Sequence, residues 1–439
     1  MTLIAYDDAP LRPFHLRVAA ASTGGVFSDG FGLGIIGISL SVAGPQLKLS
    51  PLWIGLIGGA SLFGLFLGAL VTGPFADRVG RRIVFAPNML VLALLAALQF
   101  WANSAASLLA LRLAIGFVLG TDYVVSKALL TEFTPRRLRG RVLSLLSVAW
   151  AAGYAIAYAV GQALAGGGTG AWHAMLLSSA VPCLLVLPLR LTMPESPLWL
   201  VDHGRAADAA GVIRARLGPD IGSPARGVVD RSGGGRWRQL LSRTWRRRTA
   251  VGCVFFTCQV IPYFAIGTFV ADVITAINAH SAATAGLIYN GALLLGAIGG
   301  VLTIDRMPRR RFLLGSFLLP AAALAGLLLP GEPSPAAVVV LFAVFALALS
   351  AASNLVYVYL PELFPTDLRA SGIGAAVACS RIGSAVSAFL LPNVLAGLGV
   401  RVALATCALV LLVGAWVCVR WAPETRGASL VQVTEAAST

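Results

Sequence analysis

"GPFADRVGRR", residues 73–82, places Asp77 and the cations Arg78, Arg81 and Arg82 in a short gap between two long apolar runs. A related gap, "DRMPRR" at residues 305–310, puts Asp305 228 residues (305 − 77) after Asp77, about half the chain. The runs around these gaps fix the class of the protein. Of its 439 residues, 58% are hydrophobic and 12% charged, with mean hydropathy +0.84, well above the apolar share of roughly 45–50% found in soluble domains. Stretches long enough to cross a hydrocarbon core, roughly 20 residues each, fall near 20–42, 54–75, 84–103, 107–129, 143–165 and 171–191. They resume near 250–274, 283–303, 312–330, 336–358, 371–397 and 401–421. The pattern is six spans, a polar interval and six spans.

A net charge of +15 could suit nucleic acid, but its placement argues otherwise. Of the 33 Lys and Arg, Lys48 and Arg401 fall in loops of one parity, Arg112, Lys127 and Arg381 fall inside spans, and the other 28 fall in the termini and loops of the opposite parity. Loop bias of this kind sets orientation with the basic side cytoplasmic, so both termini are expected inside, facing an anionic leaflet. A multi-pass protein of the plasma (inner) membrane follows. The six cysteines lie in apolar spans without CxxC or Cys/His spacing, so neither a disulfide framework nor a metal site is expected. No basic, apolar and small-residue succession opens the chain, and no cleavable signal is expected.

The opening motif is one of several repeats. Glu132, Pro135 and Arg139 in "TEFTPRRLRG" recur as Glu362, Pro365 and Arg369 in "PELFPTDLRASG", each 230 residues on. "MPESP", with Glu195, recurs as "APETR", with Glu424. Landmarks in one order at nearly one offset indicate duplicated halves, an arrangement typical of transporters with a site between the repeats. The division expected is a six-helix bundle over 1–192, a cytoplasmic connector over 193–248, a second bundle over 249–422 and a tail over 423–439.

These residues carry a resemblance to the major facilitator superfamily, specifically its sugar porter and metabolite:proton symporter branch. The motifs are G-x3-D-R-x-G-R-R (Gly73 to Arg82, including Gly80), R-x3-G-x3-G (Arg112, Gly116, Gly120), E-x2-P-x3-R-G (Glu132 to Gly140), PESP-x-WL (Pro194 to Leu200), PELFP-x3-R (Pro361 to Arg369) and PET-x-G-x-SL (Pro423 to Leu430). The resemblance implies an all-α membrane protein with twelve transmembrane helices in two pseudo-symmetric six-helix bundles. It also implies a cytoplasmic gate built from Gly73, Asp77, Arg78, Gly80, Arg81, Arg82, Glu132, Arg139 and Glu195, and from Asp305, Arg306, Glu362, Arg369 and Glu424 in the second half. Its ion pairs would hold the halves together when the site faces outward. The second copy is degraded, with Val301 and Pro308 where the first has glycines, so an asymmetric latch is expected.

Charges near the middle of a span cost about 2.5–3.5 kcal/mol each on the lenient insertion scale and are functional candidates by default. Asp29, Arg112, Asp122, Lys127 and Arg381 qualify. Arg112 matches the family's fourth-helix arginine, which in sugar porters pairs with a first-helix Asp and exchanges it for a proton. Here that Asp position is Gly32, and Asp29 lies three residues earlier. "SDGFGLGIIG" instead resembles the D-G-F-D-x-G pattern of aromatic-acid and nicotinate symporters, without its second acid. Asp29 and Asp122 are the candidate proton sites, with Arg112 as their partner; if neither approaches Arg112, a facilitator is favoured.

The branch's fifth-helix sugar-binding Gln falls on Ser147, and its seventh-helix Q-Q-x-S-G-x-N reads "CQVIPYF", which keeps only Gln259. The hexose set is largely gone. Trp150, Tyr154 and Tyr263 suggest an aromatic cavity for a planar metabolite, and Arg381 could face its carboxylate. The expected function is therefore a secondary active transporter for a small organic or aromatic acid, working by alternating access with proton coupling, without cofactor, metal or nucleic acid, as a monomer in lipid. The alternatives are an efflux antiporter for drugs or a natural product, a sugar facilitator, and a non-transporting receptor. No P-loop or nucleophile triad points to an enzyme.

Overall fold

The computed structural model describes residues 3–224, 239–276, 282–304, 306–330, 334–364 and 366–425. Among them are twelve helices long and apolar enough to span a membrane. These are α1 Pro13–Gln46, α2 Pro51–Val79, α3 Arg81–Trp101, α4 Ala105–Phe133, α5 Arg139–Gly168, α6 Ala171–Leu191, α7 Arg246–Thr268, α8 Ala283–Thr303, α9 Arg309–Leu327, α10 Pro335–Ala352, α11 Ser371–Leu398 and α12 Val400–Trp421. This is the all-α, twelve-helix architecture expected from the apolar runs. Ser50, Ser104 and Ser334 cap α2, α4 and α10 by accepting a backbone N–H, and proline opens α2 and α10, which satisfies donors that have no partner within the helix.

Packing follows the sequence repeat. In the first half α1 packs on α5, α2 on α4 and α3 on α6; in the second, α7 packs on α11, α8 on α10 and α9 on α12. The halves meet through α2 with α11 and α5 with α8, pairings that a two-fold operation exchanges. Outward faces of α6, α8 and α12 expose Leu185, Leu295, Leu409 and Trp416, an apolar belt of the kind that lipid covers. The connector holds helices Pro197–Asp202 and Ala206–Arg216. The N-terminal stretch docks on it by an Ile4–Ile221 bridge and an Arg12–Asp220 ion pair of 2.6 Å.

Two local features position the centre. Glycines let α1 approach α5: a Cβ at Gly30 or Gly34 would strike the backbone of Trp150 or Tyr154. In the second half, helix α10 stops at Ala352 and resumes as Leu355–Glu362. At that break the Asn354 amide donates to the carbonyls of Ala297 (3.1 Å) and Ala351 (3.2 Å), a competition with the helix ladder that short polar side chains favour.

Candidate functional site

At the end that carries both termini, the motif residues form two near-identical constellations. Gly80, with φ 107°, ends α2 and leaves room for Glu195. That carboxylate accepts the backbone N–H groups of Arg81 (3.0 Å) and Arg82 (3.1 Å) at the start of α3, where unsatisfied N–H groups and the helix dipole favour an anion. The Arg81 side chain reaches Glu132 at 2.8 Å and Asp77 at 3.3 Å. In the second half Glu424 accepts from the N–H groups of Arg309 (2.9 Å) and Arg310 (3.0 Å), and the Arg309 side chain lies 3.6 Å from Glu362. This framework is alike in both halves despite the lost glycines, because backbone donors and an Arg side chain carry it; the asymmetry expected of the latch turns on Asp305. Asp305 and the side chain of Arg369 lie outside the described residues. Arg306 donates its backbone N–H to Thr303, and Arg139 pairs with Asp7 at 3.1 Å. Arg78 ends α2, and Gly73, one helical stretch earlier, has open space at its Cβ position. None of the ion pairs described at this end joins the first six-helix bundle to the second.

The interior charges sort differently from expectation. Arg112 is fully buried, and its Nη2 donates to the Gly32 carbonyl at 3.0 Å; no described ion pair joins it to Asp29 or Asp122. The partner of Asp122 is Arg190 on α6, counted above among the solvated loop cations. Both side chains are fully buried, and the guanidinium spans both carboxylate oxygens, Nη2 at 2.9 Å from Oδ2 and Nη1 closer still to Oδ1. Ser126, the Ala21 carbonyl and the face of Phe85 complete the set. A Cβ at Gly25 would collide with this pair, so that glycine makes it possible. Asp29, on the same face of α1, is 4% exposed, has an unpartnered Oδ1 and feels the charges of Asp122, Arg190 and Lys127.

Beside Asp29 lies a central cavity of about 110 Å³, lined from both halves by Tyr123, Ser147, Trp150, Tyr263, Phe264 and Arg381 among others. Trp150 stacks on Tyr154 at 5.1 Å between centroids, so Tyr154 backs the wall rather than lining it. Gln259 does not line it either: its amide donates to Ser316 at 2.8 Å, inside the second bundle. Ser147 donates to Asn354 at 2.7 Å, a hydrogen bond between the halves at the α10 break. Towards the end with the termini a second cavity, about 480 Å³, shares the Tyr123, Tyr357 and Arg381 wall and adds Lys127. The Lys127 ammonium sits 3.2 Å from the Tyr123 ring centroid and 4.8 Å from that of Tyr357, and the Arg381 guanidinium 5.0 Å from Tyr123. At the other end α1 meets α7 closely at Gly37 and Thr268, and α2 meets α11 at Gly55 and Phe389.

Two six-helix bundles about a central cavity, with one constellation copied at one end of each, is a transporter plan. The family model for sugar (and other) transporters matches residues 19–437. The chain belongs to that family. The transporter is 42% identical to the inner membrane metabolite transport protein YgcS of Escherichia coli strain K12, over 98% of this chain and 96% of that protein. It is 27% identical to the niacin transporter NiaP of Acinetobacter baylyi, over 97% and 98% of the two chains. In fold it is similar to the xylose transporter XylE from E. coli in its partially occluded inward open conformation, with TM-score 0.79 over 95% of this chain and 100% of that one, at 18% identity.

Arg190, Tyr123, Tyr357 and Asn354 are absent from the sequence-based candidates. Arg190 could have been found from Asp122, a mid-span acid that needs a cation.

Proposed function

We propose that the transporter imports a small planar organic acid across the inner membrane by alternating access, with protons as the driving ion. The observation that carries the reading is the convergence of Lys127 and Arg381 on the Tyr123 ring, where the two cavities share a wall. No described ion pair includes either cation. Cations at membrane depth need a counter-charge, and a cargo carboxylate supplies one while its ring stacks on Trp150 or Tyr263. Of the positions at which the resemblance places hexose-binding amides, one is Ser147 and the other, Gln259, turns to Ser316 away from the cavity. Similarity to a niacin transporter, whose cargo is a ring carboxylate, supports the same class. With the basic end cytoplasmic by the positive-inside rule, the cavity of about 480 Å³ would lie on the cytoplasmic side and the gate residues would act there.

For proton coupling the carrier is Asp29. Asp122 accepts from both Nη1 and Nη2 of Arg190, whereas Asp29 is in no described ion pair and lines the cavity. A second reading, a facilitator without coupling, is favoured by the absence of an Asp–Arg112 pair. Uptake of labelled nicotinate or benzoate into proteoliposomes, with and without a pH gradient, separates the two. Accumulation above equilibrium only with the gradient supports symport, and equilibration alone supports the facilitator. No uptake of either acid, with uptake of xylose, would reject the cargo class.

A further inference from the structure

The two fully buried arginines of the first half differ in what surrounds them. Arg190 has all three guanidinium nitrogens engaged, two of them by a carboxylate. Arg112 has one contact, Nη2 to the Gly32 carbonyl, and its Nε and Nη1 have no partner among the described residues. A guanidinium is charged at any physiological pH, so Arg112 cannot shed its charge as a buried Lys can. An uncompensated cation in the apolar interior is among the costliest arrangements a protein can hold.

Next to this side chain is room. A Cβ built on Gly32 has no heavy atom within 4 Å outside its own helix. Gly25, seven residues earlier, faces Arg190 and Asp122, and two helical turns return to the same face, so Gly32 also looks toward α4, which carries Arg112. Neither Arg112 nor Gly32 lines the two cavities described above, and the space is that left by one missing side chain. A single small ion fits it.

We propose that Arg112 and the space at Gly32 form a site for a small monovalent anion, chloride being the probe, which neutralises the guanidinium and braces α1 against α4. The site is independent of the cargo. The protein would therefore depend on an inorganic anion for stability, since a ligand that binds the folded state shifts unfolding by mass action.

The test is thermal unfolding of the purified full chain in detergent, in sodium chloride and in sodium gluconate at equal ionic strength. A saturable rise in unfolding temperature with chloride is expected. Arg112→Gln should lose that response, and Gly32→Asp, which builds a carboxylate into the space, should unfold in gluconate near the temperature of the parent in chloride and respond to neither salt. Identical unfolding of the parent in both salts would overturn the proposal. So would a full chloride response in Gly32→Asp, which decides the matter if Arg112→Gln does not fold. A benzoate arm tests the other source of negative charge: stabilisation by benzoate and not by chloride, removed by Arg112→Gln, would give the site to the cargo and overturn the inorganic-anion assignment.

Discussion

The two halves are alike at one end and unlike in the middle. At the end with the termini, Arg81, Glu132 and Glu195 have direct counterparts in Arg309, Glu362 and Glu424, down to the carboxylate that caps the third helix of each bundle. In the interior the first half holds Asp29, Arg112, Asp122, Lys127 and Arg190, whereas the second half brings Arg381 and the uncharged Asn354 to the centre among the described residues. A repeat that survives at the ends reflects a task both halves share, fixing the short loops about which they move. Under the proposed function, charge gathered in one half is a division of labour, in which one bundle would handle ions and both would supply the cargo wall.

The largest expected effect breaks that division at its buried pair. Asp122→Asn strands Arg190 in the membrane interior, and removing one partner of such a pair costs about 3–5 kcal/mol. Thermal unfolding in detergent should show a large loss, and Asp122→Asn with Arg190→Met should recover most of it, since a pair replaced as a unit leaves no orphan charge. Asp29→Asn should leave stability nearly intact yet abolish pH-driven accumulation while preserving exchange, read in proteoliposomes loaded with cargo; intact accumulation would move the proton elsewhere. Trp150→Ala should weaken acid binding about tenfold, if ring stacking contributes roughly 1 kcal/mol or slightly more, as seen in titration calorimetry. The smallest effects belong to the copied end. Glu132→Gln and Glu362→Gln should shift the label-to-label distance across the mouth by similar small amounts. Asp77→Asn should shift it less, because Asp77 is exposed and its pair with Arg81 joins residues four apart, a class that contributes about 0.3–0.5 kcal/mol.

The fold was legible because hydropathy over twenty-residue windows and the repeated Glu, Arg and Pro landmarks report the same twelve helices and the same two-fold plan. The cavity was legible in part: Ser147, Trp150, Tyr263, Arg381 and Asp29 do meet in it. What the sequence hid was pairing. Arg190 lies one residue from the end of α6, where a buried arginine and a positive-inside arginine look the same, and only the α1, α4 and α6 packing brings it to Asp122. Arg112 looked like an acid's partner because spacing along one helix says nothing about which carboxylate faces it. The Tyr123 and Lys127 arrangement, four residues apart on α4, becomes a two-cation cluster only when Arg381 arrives from the other bundle.

Under the proposed function the cavity recognises a ring by its faces and a carboxylate by Lys127 and Arg381. Titration calorimetry of the purified transporter with benzoate, benzamide and xylose tests it in one series, because benzamide keeps the ring and removes the charge. Benzoate should bind, benzamide at least about tenfold more weakly, given that hydrogen bonds to charged groups contribute roughly 1.5–3 kcal/mol, and xylose most weakly of all. Equal binding of benzoate and benzamide, or tight binding of xylose with none of benzoate, would contradict it.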